Sequence, residues 1–396
     1  MHPAMRILIA SGFFESALPS YREYSYSKEL SAIGHDVTLL CGNQSQAWRF
    51  SRVRLPATFP HQFDNEFCRN TSVRLMRRRV FFRFSDFVLY IPSISAIRQA
   101  DVVHVIEFRQ GVTLIVALIA RVFGKPVVYD HEQRGDRRSR WYSRVDSAFR
   151  RTLIYMGSWC VDCVRHTVIA NRDHFKSCTR REVETMFAPL GTDPEKFYYD
   201  KAERRITRAE LGLDDGVPAA VMSGKLHGLK RITDVVKACR AAKVRLILIG
   251  SMTRDVEEEI AAIGPGEEII LGSGDSHRLR AIYCAADIAI FTTFTLSYWE
   301  AYSTGIQLVV PESAFSKIVF SGDVNVARFG KEAMFRVPDE EYLPEVSIVE
   351  PLVSAIAALP GQVRSSSSRF AASTQTAELS RLYSRLVAAR SPGHAE

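Results

Sequence analysis

At 396 residues, with 46% hydrophobic and 24% charged residues, the chain has the composition of a soluble globular protein of two or three domains. These values exclude disordered, collagen-like and small disulfide-scaffold proteins. The net charge of +8 is uneven: residues 1–190 hold 28 Lys and Arg against 17 Asp and Glu, and the remainder holds 24 against 27. A basic N-terminal half points to a polyanionic partner or an anionic membrane surface there. No nucleic-acid-binding motif accompanies it, so nucleic acid is not an expected partner.

In chain order, short β-branched runs recur about every 30 residues with amphipathic stretches between them, the pattern of βαβ units and parallel sheets. Strands are predicted at Arg6–Ala10, Asp36–Leu40, Asp101–Val105, Pro126–Tyr129 and Thr167–Ala170. The N-terminus has no signal-peptide pattern and predicts a cytoplasmic start. The longest apolar run, Gly111 to Phe123, contains Arg121 and is too short to span a bilayer. Cys160 and Cys163 with His166 lack a second ligand pair, so helix packing is expected rather than zinc. Seven scattered cysteines predict reduced thiols.

The turn-rich segment Phe187 to Pro194 is the predicted domain linker. A second strand series follows at Ala219–Met222, Arg245–Gly250, Ile269–Leu271, Ile288–Phe291 and Gln307–Val310. Leu379, Leu382, Tyr383 and Leu386 then recur at helical spacing. The expected organisation is an α/β protein of two doubly wound parallel-sheet domains, 1–190 and 191–365, facing a cleft. A C-terminal helix within 366–396 is expected to pack toward the N-terminal domain.

The strongest local signal is Ser223-Gly224-Lys225-Leu226-His227-Gly228-Leu229-Lys230-Arg231, after the first strand of the second domain. Two ammonium groups five residues apart, beside glycines and a helix N-terminus, suit a diphosphate. A solvated basic turn is the plain alternative. The second signal is the loop Thr292-Thr293-Phe294-Thr295-Leu296 leading into a short helix with Glu300 in its first turn. A carboxylate there can accept paired hydrogen bonds from ribose hydroxyls, or simply cap the helix.

Together these residues resemble the retaining family 4 of nucleotide-sugar glycosyltransferases, which have the GT-B fold. Gly224-Lys225-Leu226 with Lys230 is similar to that family's Gly-Arg-Leu-x-x-x-Lys-Gly motif, with Arg231 where glycine is usual. Residues 292–309 align with its Glu-Gly-Phe-Gly-Leu-Pro-x-x-Glu-Ala-x-x-x-Gly-x-Pro-Val-Val, keeping Glu300 but placing Thr292 at the first glutamate. Gly34-His35-Asp36-Val37, Ala100-Asp101-Val102-Val103-His104, Pro189 to Asp193 and Ala285-Ala286-Asp287 are further likenesses, so the resemblance runs through most of the chain.

The resemblance implies transfer of a sugar from a nucleoside-diphosphate donor to an acceptor, with retention of configuration. UDP or GDP is the expected carrier, with no cofactor; no Asp-x-Asp triplet calls for a metal. Lys225, Lys230, Glu300 and His131, the last where the family has a cleft-facing histidine, are the expected catalytic residues. Gly224, Gly272, Thr293, Phe294, Thr295 and Leu296 join the two lysines and Glu300 as donor-binding candidates. Gly12, Glu132 and Arg134 are the acceptor-side candidates, for a carbohydrate, lipid-linked or small-molecule acceptor. Five arginines and three phenylalanines between Arg74 and Phe84 suit a peripheral contact with the inner face of a membrane, or else pack as a loop and helix. The alternatives are a non-hydrolysing nucleotide-sugar epimerase and an inactive glycosyltransferase-like subunit, the latter favoured by Thr292.

Overall fold

The computed structural model describes residues 4–14, 16, 22–44, 63–84, 86–132, 141–167, 169–188, 191–293, 295, 297–321, 323–330, 335–336, 341–342, 347–359, 364 and 371–390. The chain forms two compact units, one of residues 1–190 with 372–396 and the other of 191–371.

The first unit runs β1 (Arg6–Ala10), α1 (Arg22–Ala32), β2 (Asp36–Gly42), α2 (Asp64–Thr71), β3 (Arg74–Arg78), β4 (Val80–Phe84), β5 (Phe87–Tyr90), α3 (Ile94–Gln99) and β6 (Val102–Ile106). It continues with α4 (Val112–Val122), β7 (Val127–His131), α5 (Trp141–Ser158), β8 (Cys163–His166), α6 (Ile169–Cys178) and β9 (Glu184–Phe187). Seven parallel strands pair in the order β3-β2-β1-β6-β7-β8-β9, and β4 and β5 make a separate antiparallel hairpin. Strands β6 and β7 are buried along their whole length, as expected where helices cover both faces of a parallel sheet.

The second unit runs α7 (Lys201–Glu210), β10 (Ala219–Ser223), α8 (Ile232–Ala241), β11 (Arg245–Ile249), α9 (Arg254–Ile263), β12 (Ile269–Leu271), α10 (Ser276–Ala285), β13 (Ile288–Ile290) and α11 (Ser297–Ser303). It ends with β14 (Gln307–Pro311), α12 (Ala314–Val319), β15 (Val326–Phe329), a two-residue pair of β16 (Phe335–Arg336) with β17 (Glu341–Tyr342), and α13 (Val349–Ala357). Its six-stranded parallel sheet has the order β12-β11-β10-β13-β14-β15. Helix α14 (Ala372–Ala388) then returns to the first unit. There Leu379, Leu382 and Tyr383 enter the core beside α1, and the Tyr383 hydroxyl meets His104 Nδ1 at 2.5 Å.

Both sheets reverse strand order next to their first strand, between β1 and β6 and between β10 and β13, and ligands of such sheets bind at the carboxyl ends there. Both reversals are held by the same device. Asp101, just before β6, accepts from the Arg6 amide at 2.8 Å and pairs with the Arg6 guanidinium at 2.6 Å. Asp287, just before β13, accepts from the Ala219 amide at 2.8 Å and pairs with Arg204 at 2.7 Å. The two Ala-Asp sequences singled out above are therefore architectural.

Two sequence expectations are corrected. The strand expected at Thr167–Ala170 lies earlier, at Cys163–His166, in register with β7 (Val128↔Cys163). Arg165 and His166 hid it, since charged residues inside a strand read as a loop; in the structure Arg165 is buried against Asp130 at 3.2 Å. Arg74 to Phe84 is neither a loop nor a helix but edge strand β3 and the first arm of the hairpin. Within it Arg77 turns inward, pairing with Asp64 at 2.6 Å.

Candidate functional site

In the second unit the loop after β10 and the loop after β13 flank the strand reversal. Gly224 has φ +95°, a backbone conformation that suits glycine, and its amide donates to the Ile249 carbonyl at 3.0 Å. A Cβ on Gly250, itself at φ +139°, would stand 1.9 Å from the Gly224 carbonyl oxygen. Both glycines are thus required for the β10 and β11 ends to close on each other.

The chain next makes one 3-10 turn at Gly228–Lys230 and enters α8 through Arg231, at φ +52°. This is the position at which the resembled motif has glycine. An arginine in the left-handed region is strained by about 1 kcal/mol; its guanidinium pairs with Asp234, Nε to Oδ2 at 2.7 Å.

Lys225 is exposed, as expected. Lys230 is not: the residue is 5% exposed, and its ammonium donates to the Ser223 carbonyl at 2.9 Å. Burial pushes it down to about 8. Of the two lysines read as a diphosphate grip, Lys230 is thus held beneath the loop. A Cβ on Gly224 would be 3.3 Å from its Nζ and 4.0 Å from Ser297 Oγ, so ammonium and hydroxyl border the space that Gly224 leaves open.

Glu300, in the first turn of α11, is partly buried beside the Ser297 hydroxyl, and desolvation pushes its carboxyl up to about 7. Tyr283, on α10, links the loops: its hydroxyl lies 2.8 Å from Ser223 Oγ and also meets Ser297. Sequence reasoning gave Ser223 no role of its own and missed Tyr283 and Gly250. An aromatic at helical spacing reads as core, and only the glycine at the end of β11 gave a local signal.

Thr292, considered as a sugar-pocket residue in place of glutamate, is 1% exposed and donates from Oγ1 to the Lys230 carbonyl at 2.6 Å. It ties one loop to the other and is closed off from solvent. Thr295 Oγ1 accepts from the Ser297 amide at 3.2 Å, and Thr293 is partly exposed. Gly272 follows β12 at the far edge of the sheet, exposed and two strands from β10. Phe294, Leu296 and Arg134 lie outside the described residues.

In the first unit the ends of β1, β6 and β7 carry a dense polar network. The Gly12 amide donates to Gln110 Oε1 at 2.5 Å, so that acceptor-side candidate is capped by a side chain. Arg22 pairs with Glu132 at 2.6 Å and lies within 3.8 Å of Asp130 and 4.0 Å of Glu23. Desolvation, reinforced by Glu107, Asp130 and Glu23, lifts Glu132 to about 7 in spite of Arg22. Glu107 holds this corner with φ +55° and accepts from the Glu132 amide.

His131 is fully buried. Its Nδ1 is 2.8 Å from the Tyr129 hydroxyl and its Nε2 is 3.0 Å from His174 Nδ1, with the two imidazoles stacked. Burial keeps it neutral, well below the usual histidine range. With both nitrogens engaged and no solvent contact, the expectation of a cleft-facing His131 is corrected. Among the described residues the seven cysteines form no disulfide, and no group of His, Cys, Asp and Glu is arranged to hold a metal ion.

No protein-family model and no curated protein sequence matches the chain. Solved structures do. Sucrose-phosphate synthase from Thermosynechococcus elongatus is similar over 97% of this chain and 100% of its own, at 15% identity and TM-score 0.62. HepE from Anabaena, in complex with UDP and glucose, is similar over 96% and 100%, at 14% identity and TM-score 0.59. A candidate UDP-N-acetylglucosamine 2-epimerase from Listeria monocytogenes is similar over 97% of both chains, at 10% identity and TM-score 0.54. Two Rossmann-like parallel-sheet units in tandem, matched over their full length by such structures, give this chain the GT-B fold.

Proposed function

We propose that this chain is a glycosyltransferase that moves a sugar from a nucleoside diphosphate to an acceptor hydroxyl. The second unit holds the donor, with UDP or GDP as carrier. One observation carries the reading: Gly224, the Lys230 ammonium, Ser297 and Glu300 converge at the β10–β13 reversal, with Lys225 exposed beside them. A diphosphate over Gly224 meets the positive end of the turn into α8 and two ammonium groups. The Glu300 carboxylate, once ionised, accepts from vicinal ribose hydroxyls.

In the reaction the bond from the anomeric carbon to the diphosphate oxygen breaks, and a bond from that carbon to the acceptor oxygen forms. The hydroxyl proton is released to solvent, the configuration is retained, and the nucleoside diphosphate leaves. Lys225 and Lys230 stabilise the charge growing on the departing phosphate, so no metal is called for in this role; loss of one such contact costs roughly 10²- to 10³-fold in rate. The carboxyl-rich corner around Glu132 offers acceptors to the hydroxyls of a carbohydrate, lipid-linked or small-molecule substrate in the cytoplasm.

The test is a melting series with UDP, GDP, ADP and dTDP, followed by turnover of the sugar derivative of whichever nucleotide stabilises. Free nucleoside diphosphate appearing with the glycosylated acceptor is the expected outcome. The likeness to a candidate 2-epimerase favours a second reading, and turnover that changes the sugar and releases no diphosphate would establish it. Binding without turnover would identify an inactive subunit.

A further inference from the structure

The sheet of the first unit is covered unequally on its two faces. One face is sealed by α1, α2 and α14. The other carries α3, α4, α5, α6 and the β4–β5 hairpin, whose own outer surface is apolar. Of the 17 large apolar side chains that are exposed among the described residues, 12 lie on this one layer. They include Phe81 (65%) and Phe84 on the hairpin, Ile91 before α3, Val122 (83%) on α4, and Trp159 (57%) at the end of α5.

Ring contacts join the hairpin to α5. Phe82 meets Phe87 edge-on at 6.1 Å, and Phe87 meets Phe149 of α5 at 5.5 Å, joining hairpin to helix. On α5, Phe149, Tyr155, Met156 and Trp159 recur at helical spacing, opposite the buried Leu153, Ile154 and Gly157. Helix α4 is apolar around nearly its whole circumference, although Leu118 and Val122 face outward. A helix with such a composition is ordinarily covered on all sides.

The charge on the same layer selects the partner. Residues 79–99, 112–125 and 146–160 contain seven Arg and Lys against two carboxylates. Both carboxylates, Asp86 and Asp146, are in ion pairs with Arg109 and Arg150. A second copy docked about a twofold axis would bring like arginines together. Arginines set among exposed aromatics and aliphatics suit the interface of an anionic bilayer, where apolar groups insert and cations meet headgroups.

We propose that this face, the β4–β5 hairpin together with the outer sides of α3, α4 and α5, docks on an anionic phospholipid surface. The inference stands apart from the transferase reading, because the nucleotide site belongs to the other unit. The experiment is co-sedimentation of the full chain with phosphatidylcholine vesicles, with and without phosphatidylglycerol, at low and high salt. Wild type should pellet with the anionic vesicles only, and salt should release it.

Arg79→Ala combined with Arg121→Ala should lower partitioning roughly 30-fold, about fivefold per cation. Phe81→Ser combined with Trp159→Ser should lower it at least tenfold, with circular dichroism and the melting temperature of the free protein unchanged. Quenching of Trp159 fluorescence by brominated lipid, lost in Trp159→Phe, should report insertion. Failure to pellet, equal binding to neutral vesicles, or wild-type binding by both double variants would overturn the proposal. A dimer in sedimentation velocity that the apolar variants abolish would assign the face to a second copy instead.

Discussion

In the proposed donor site, Lys230 and Glu300 are two groups whose burial opposes the charge that role needs, and the conflict has a readable pH signature. The Lys230 ammonium, held down to about 8, is present for a diphosphate below that pH and lost above it. The Glu300 carboxyl, lifted to about 7, is ionised for ribose above that pH and protonated below it. Affinity for the nucleoside diphosphate should therefore follow a bell, rising through pH 7 and falling through pH 8. Calorimetric titration of Glu300→Gln should flatten the acid arm, and Lys230→Met the alkaline arm. The linkage to stability has the opposite sense for the lysine. The unfolded chain keeps that proton to its ordinary value near 10.5, so the stability contribution improves between about pH 8 and 10.5. Lys230→Met should accordingly lose 10²- to 10³-fold in turnover while its melting temperature holds or rises. Thr292 behaves differently, because its hydroxyl satisfies a buried carbonyl. Thr292→Val should cost about 1–3 kcal/mol in denaturant unfolding. Thr292→Glu should fail to fold rather than change sugar preference, since a carboxylate would be forced into a closed space; a soluble, normally melting variant would refute this placement.

At the scale of elements, the two aspartates that start β6 and β13 carry unequal loads. Asp101 holds one exposed arginine, whereas Asp287 holds Arg204 at 2.7 Å and has Arg208 at 3.6 Å and Arg364 at 3.9 Å. Removing Asp287 leaves buried guanidiniums from α7 and from the end of the unit without their counter-charge. Asp287→Ala should cost about 3–5 kcal/mol and Asp101→Ala about 1 kcal/mol, measured by urea unfolding. Equal losses would mean that the two aspartates carry the same load. Local strand and helix signals identified nine of the ten expected strands, since parallel strands buried on both faces are continuous apolar runs. Edge strands β3, β9 and β15 escaped because one of their sides is unpaired and their composition is mixed.

For the whole molecule, each unit has its own core, and the chain passes between them twice, near residue 190 and near residue 371. Calorimetry should resolve two unfolding transitions. The nucleoside diphosphate should shift only the one belonging to residues 191–371, by about 2.7 kcal/mol at a hundredfold excess over Kd. A single transition, or a shift of both, would show that the units unfold together. The C-terminal helix belongs to the first transition, since α14 supplies Leu379, Leu382 and Tyr383 to that core.

Sequence by itself determined the two parallel sheets and singled out the β10 and β13 loops, which the structure brings together at the strand reversal. These rest on periodicity and on glycine, lysine and glutamate at fixed spacing, which are local properties. Only the tertiary structure decided what each polar residue does. Lys230 and Thr292 are buried, His131 has both nitrogens engaged, Gly12 is capped by Gln110, and Tyr283 bridges the loops after β10 and β13. A hydroxyl, an imidazole or an ammonium reads the same in a sequence whether it faces solvent or a carbonyl. Its partner arrives from a strand or helix tens of residues away, and the packing of those elements sets both the desolvation that shifts its charge and the side chain that answers it.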